Sequence, residues 1–263
     1  MNKPLLQFSH ANGFPASCYQ ALLQPLQKQF DIHYIEMLGH DTRYPVTDNW
    51  AALVDELIAS IENPGHQPVI GLGHSLGAAL TFFAAVKRPD LFKAIILLDA
   101  PMLVYPKALV IRWFKAWGKV DWITPGRRAQ RRREVWRDFA EAKHYFKSRG
   151  LFKDFDEACL EDYLNFGLFQ ENNQNLRLKF KASIEALIYG TLPDNYHDYK
   201  QQLKVPAYML AGVNSDIVRP IDLWSIERNF NIQCKQVQGG HLFPFEHPRN
   251  TAMEVLKIFD ELH

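Results

Sequence analysis

Two kinds of hydrophobic pattern take turns along the first hundred residues. Short, nearly unbroken apolar runs at residues 4–8, Asp31–Met37, Val69–Leu72 and Lys93–Asp99 predict strands. Between them the apolar positions fall three and four apart, as on one face of a helix. Tyr19, Leu22, Leu23 and Leu26 do so within Cys18–Gln29, despite Pro25. A second helix runs from Trp50 to Ile61 with Asp48 as its expected N-cap, and a third covers Leu76–Lys87, stopped by Arg88-Pro89. Pro64-Gly65 predicts the turn that leads into the third strand. Strands that are apolar throughout and alternate with helices predict the α/β class: a mostly parallel sheet flanked by helices on both faces.

The alternation stops near Met102. From there to Tyr199 the pattern predicts helices only, rich in Trp, Phe, Tyr and Arg. It resumes with a strand at Val205–Gly212, a helix around Ile221–Asn229, a strand at Ile232–Val237 and a closing helix near Thr251–Leu262. The expected organisation is a core of residues 1–101 and 200–263 interrupted by an all-helical lid at 102–199. Trp113, Phe114, Trp117, Trp122, Trp136, Phe139, Tyr163, Phe166 and Phe169 have helical spacings in that lid. Most are expected to pack it onto the core, and a few to line an apolar pocket.

Composition narrows the classes. With 263 residues, 47% of them hydrophobic, the chain has ample material for a full core. A net charge of +1 argues for neither a nucleic-acid partner nor an anionic membrane. One local exception is Arg127–Arg149, with nine Lys/Arg against Glu134, Asp138 and Glu141. It reads as a solvated helix face with pairs such as Arg137 to Glu141. A second reading gives Arg131–Arg133 an acidic or phosphorylated part of a substrate. Cys18, Cys159 and Cys234 are widely spaced and odd in number, which suggests neither a disulfide framework nor a zinc site. No signal-peptide pattern or membrane-spanning run is visible, so a cytoplasmic monomer or homodimer is expected, without metal or cofactor.

The chemistry is concentrated at Gly73-His74-Ser75-Leu76-Gly77, between a strand and a helix. A serine raised on a sharp strand-to-helix turn holds a strained backbone that leaves little space for β-carbons two residues away. It also sits at a helix N-terminus, where free N–H groups can receive a developing oxyanion. Serine is a weak nucleophile unless a base adjoins it and a third group orients that base. Asp216, in the loop after the strand Val205–Gly212, and His241, after Gly239-Gly240, supply such groups at strand ends. Asp99, ending Leu97-Leu98-Asp99, is the alternative acid.

Five ordered motifs then carry a resemblance to α/β-hydrolase-fold serine hydrolases over nearly the whole chain. His10-Ala11-Asn12-Gly13-Phe14-Pro15 resembles the family's His-Gly loop with two residues inserted, and Leu38-Gly39-His40-Asp41 its Pro-Gly-His-Gly loop. Gly73–Gly77 resembles the nucleophile elbow, and Gly212-x-x-x-Asp216-x-x-x-Pro220 and Gly240-His241-x-x-Pro244 the acid and histidine loops. The resemblance implies Ser75 as nucleophile, His241 as general base and then acid, and Asp216 as its orienting group. It implies an oxyanion hole from the N–H groups of Leu76 and Phe14, with Asn12 the second choice. His74 is expected to pack, His10 to support the oxyanion loop, and His40 and His247 to serve loop structure. Glu246 is expected to cap the last helix rather than brace the histidine loop. The implied activity is hydrolysis of a carboxylic ester or thioester with an apolar acyl group through an acyl-enzyme. C–C bond hydrolysis, cofactor-free haloperoxidase chemistry and a non-enzymatic ligand receptor are the alternatives.

Overall fold

The computed structural model describes residues 3–62, 67–104, 106–171 and 175–262. The turn expected at Pro64-Gly65 lies outside them. In chain order, strand β1 (Leu5–Ser9), helix α1 (Gln20–Leu26), β2 (Asp31–Tyr34), α2 (Ala51–Glu62), β3 (Val69–His74), α3 (Leu76–Lys87) and β4 (Phe92–Leu98) fall where the apolar runs predict them. Asp48 does not cap α2. Its carboxylate accepts from Asn49 and pairs with Lys115, and the Thr47 hydroxyl instead accepts from the Ala52 N–H at 3.3 Å.

Among the described residues, the segment between β4 and the next core strand holds five α-helices: α4 (Lys107–Ala116), α5 (Gly126–Gln130), α6 (Phe139–Lys147), α7 (Glu157–Phe166) and α8 (Ala182–Gly190). It is not all-helical. Strands β5 (Val135–Trp136), β6 (Leu168–Gln170) and β7 (Leu176–Leu178) form a small antiparallel sheet in the order β5-β7-β6. Strands of two or three residues are too short for a twofold alternation to register against the helical spacing around them. Arg127–Arg149 is accordingly α5, β5 and α6 in succession, not one helix, and Glu141 accepts from the Arg133 guanidinium and the Arg137 backbone N–H. The core resumes with β8 (Ala207–Gly212), α9 (Pro220–Phe230), β9 (Gln233–Val237), α10 (Phe243–Glu246) and α11 (Pro248–Glu261).

The main sheet runs β2-β1-β3-β4-β8-β9, with every pairing parallel. Its side chains alternate between two buried clusters. Val69, Ile95, Leu97 and Met209 join α2, α3 and α9 on one face. Leu6, Phe8, Ile70, Leu72, Ile96 and Leu98 join α1 and α11 on the other. Strand order reverses between β1 and β3, and the crevice beyond the carboxyl ends of strands at such a point is where open α/β sheets gather ligands. Ser9-His10 and His74-Ser75 leave the sheet there.

Candidate active site

Ser75 stands between β3 and α3 at φ 52° and ψ −114°, a conformation that L-residues adopt only where the surroundings enforce it. The enforcement is visible. The Ser75 N–H donates to the Leu98 carbonyl at 2.9 Å, and the Gly77 N–H donates to the His10 carbonyl at 3.1 Å. A β-carbon on Gly73 would overlap the Gly77 carbonyl, and one on Gly77 would overlap that of Ser9. The elbow closes because both positions are glycine.

His241 approaches from the loop after β9, its Nε2 2.9 Å from Ser75 Oγ. Its Nδ1 lies 2.7 Å from Oδ2 of Asp99, not of Asp216. Asp99 is fully buried, and its carboxylate also accepts from the Gly212 N–H at 2.9 Å and the Ser215 hydroxyl at 2.6 Å. With three donors on the carboxylate, the Nδ1–H tautomer of His241 leaves Nε2 free to accept the Ser75 proton. Asp216, the acid expected from the motif, is exposed and makes no contact with the histidine among the described residues. The reason is local. Ser215 Oγ accepts from the N–H groups of Ile217 and Val218, which winds the loop around Ser215 and turns the next side chain to solvent. Asp99 instead directly follows β4, the strand beside that of Ser75.

The loop after β1 also departs from expectation. The Phe14 N–H, the first-choice oxyanion donor, is bound to the Ala11 carbonyl at 3.1 Å, and the Ala11 N–H donates to the Tyr19 hydroxyl at 3.1 Å. The Phe14 ring is buried among Phe245, Tyr163, Phe152 and Phe155. The loop closes into a turn from Ala11 to Phe14, which consumes the Phe14 donor. Among the described residues no acceptor engages the N–H of Asn12 or of Leu76.

Buried histidines brace this arrangement. His10 Nδ1–H donates to the Ala11 carbonyl at 2.8 Å, and its Nε2 accepts from the Leu38 N–H at 2.8 Å. Burial holds its pKa down at about 4, so it stays neutral. His74 does more than pack. Its Nδ1 accepts from the Tyr19 hydroxyl at 2.8 Å and its Nε2–H donates to the His241 carbonyl at 3.0 Å, while burial lowers its pKa to about 3. An unbroken chain thus runs from the Ala11 N–H through Tyr19 and His74 to His241. The helical spacing of Tyr19 marks it only as a core residue, and nothing in the sequence signals its hydroxyl's role. Glu246 braces the histidine loop rather than capping α11: its Oε2 accepts from the Gly240 N–H at 2.8 Å. His40 Nε2 accepts from the Lys181 N–H at 3.2 Å, a loop contact. His247 occupies the N-cap position of α11 without a side-chain bond.

Helix α8 covers the loop. The Asn12 side-chain amide donates to the Glu185 carbonyl at 3.0 Å, and the Glu185 carboxylate pairs with Arg132 at 2.6 Å. Arg132 also donates to the Tyr163 hydroxyl. Of Arg131–Arg133, then, Arg132 is spent inside the protein, Arg133 pairs with Glu141, and Arg131 is exposed. Among the described residues no cluster of three or more His, Cys, Asp or Glu is arranged to hold a metal ion.

Comparison with known proteins bears on the family and the fold. A family model described as the alpha/beta hydrolase family matches residues 8–254. The lipase LipV of Mycobacterium tuberculosis is 41% identical over 66 residues, which cover 24% of this chain and 25% of the lipase. A 2-(acetamidomethylene)succinate hydrolase of Mesorhizobium japonicum is 27% identical over 112 residues, covering 40% of this chain and 39% of that protein. The matched stretches are therefore well under half the length of either relative. The solved structure of an E-2-(acetamidomethylene)succinate hydrolase superposes with a TM-score of 0.79 at 20% identity, covering 98% of this chain and 92% of that one, a likeness of fold.

Proposed function

Because the chain belongs to the alpha/beta hydrolase family, we propose that it is a serine hydrolase that cleaves a carboxylic ester or thioester through an acyl-enzyme on Ser75. The observation that carries this reading is the Ser75–His241–Asp99 array, with 2.9 Å and 2.7 Å links, on a serine held at φ 52°. Ser75 Oγ attacks the substrate carbonyl while His241 Nε2 takes its proton. Asp99 holds the ring through Nδ1 and stabilises the imidazolium that forms. The tetrahedral oxyanion is received by the N–H groups of Leu76 and Asn12, which carry no competing acceptor. His241 then protonates the leaving alcohol or thiol as the tetrahedral species collapses to the acyl-enzyme. Water, deprotonated by His241, attacks the acyl carbonyl; collapse releases the acid and returns the proton to Ser75. No step calls for a metal or cofactor. Residues 102–199 act as the lid in this reading, which assigns substrate choice to them and an apolar acyl group to the substrate. The lipase relative favours ester cleavage; the array itself would serve any carbonyl with a suitable leaving group.

Labelling with a fluorophosphonate probe tests the nucleophile. The wild-type protein is expected to label covalently and Ser75→Ala to lose all labelling. Equal labelling of the two would end the proposal. Nitrophenyl esters of increasing chain length then size the acyl pocket.

A further inference from the structure

A second surface of the molecule lies outside the proposed chemistry. Helix α4 buries Ala108 and Ile111 and turns Leu109, Val110 and Trp113 outward. Trp113, Trp117 and Trp122 are 56%, 62% and 60% exposed, far more than aromatic side chains that pack a lid onto a core. They form a continuous strip. The rings of Trp113 and Trp117 lie 5.4 Å apart, Lys119 Nζ sits 5.9 Å from the Trp117 ring and 5.2 Å from that of Trp122, and the Arg127 guanidinium stands 4.6 Å from Trp122. Contiguous apolar surface of this kind marks an interaction site.

The charge around the strip says what it meets. Residues 107–133 contain nine Lys/Arg and one acid, Asp121, in a chain whose net charge is only +1. Lys107, Arg112, Lys115, Arg132 and Arg133 are paired with carboxylates. Lys119, Arg127, Arg128 and Arg131 have no carboxylate partner among the described residues, and the Asp121 carboxylate lies against Gly126. We propose that this strip docks the protein peripherally on an anionic lipid bilayer, with the indoles at headgroup depth and the four unpaired cations on the phosphates. Trp suits that depth because its ring is apolar while its N–H needs a wet partner. Each cation near such a surface is worth about a fivefold gain in affinity, so four give several hundredfold. A second copy of the chain would set these cations against one another. Single-stranded nucleic acid would stack on the indoles but has no use for Leu109, Val110 and Ile123, which share the exposure. Helix α5 of this region packs on α8, which covers the Asn12 loop, so the docked face is continuous with the elements over Ser75.

Sedimentation with phosphatidylcholine vesicles, with and without 30% phosphatidylglycerol, tests this without reference to activity. The protein is expected to bind the anionic vesicles at least about tenfold more strongly than the neutral ones, and salt to abolish the difference. Trp113→Ala/Trp117→Ala and Lys119→Glu/Arg127→Glu are each expected to lose at least about tenfold in binding while circular dichroism stays unchanged. Equal binding to both vesicle types, or unaltered binding by both folded variants, overturns the proposal. So does a tryptophan-dependent dimer in sedimentation velocity, or binding to a single-stranded oligonucleotide with none to vesicles.

Discussion

Asp99 follows the last residue of β4 at φ 46°, and that unusual backbone aims its carboxylate at three donors at once: the His241 ring, the Gly212 N–H and the Ser215 hydroxyl. A carboxylate bound this way holds the imidazole in one tautomer, which an amide in its place would not do. Asp99→Asn is therefore expected to lower kcat/KM by about a thousandfold or more on a nitrophenyl ester. Asp216→Asn, at an exposed position, is expected to stay within about threefold of wild type. The reverse ranking in the same assay would return the acid to Asp216. Both aspartates are legible as candidates because each lies just past the carboxyl end of a core strand. Choosing between them needed the path of the loop around Ser215, a matter of backbone hydrogen bonds that residue type does not announce.

Between elements, the coupling that matters is a chain of buried polar groups. Tyr19 joins the loop after β1 to the end of β3, and His74 joins β3 to the loop after β9. Removing the Tyr19 hydroxyl orphans the Ala11 N–H and His74 Nδ1 together, and each buried unpaired group costs about 1–3 kcal/mol. Tyr19→Phe is thus expected to lower the unfolding free energy by a few kcal/mol in a urea titration, and to reduce kcat/KM because both flanking loops loosen. A variant with unchanged stability would show that neither group depends on Tyr19. The pattern of apolar runs alone predicts the core strands, four to seven residues long. The strands β5, β6 and β7 escape it because two or three residues hold barely one repeat.

Across the whole molecule, opposed buried groups set the response to pH. His10 and His74, held at about 4 and about 3 by burial, stay neutral in the folded protein, whereas an unfolded histidine binds a proton below about pH 6.5. Stability from these two is full above that pH and is lost progressively as pH falls toward their folded values. Glu56, raised by burial to about 7, works with the opposite sign. It keeps its proton when folded, so stability falls as pH rises from about 4.5 to 7. Two histidines with shifts at least as large outweigh one carboxyl, so the urea midpoint is expected to fall between pH 6.5 and 4.5. Glu56→Gln retains an acceptor for the Gly39 N–H and removes the buried charge. It is expected to stabilise the protein at pH 8, on the order of 2 kcal/mol, and to be nearly neutral at pH 4.5.

Sequence by itself determined the α/β class, the order of core strands and helices, and the serine and histidine that meet at the sheet's edge. These follow from local physics: apolar periods set the elements, and only glycine fits at positions 73 and 77 of so tight a turn. Tertiary structure alone decided that Asp99 rather than Asp216 reaches His241, that the Phe14 N–H is consumed by its own turn, and that Arg132 turns inward while three tryptophans turn outward. Each of those outcomes depends on which groups meet across distant parts of the chain. A serine on a Gly-x-Ser-x-Gly turn can be named before folding, but its partners are chosen by the register of the neighbouring strands.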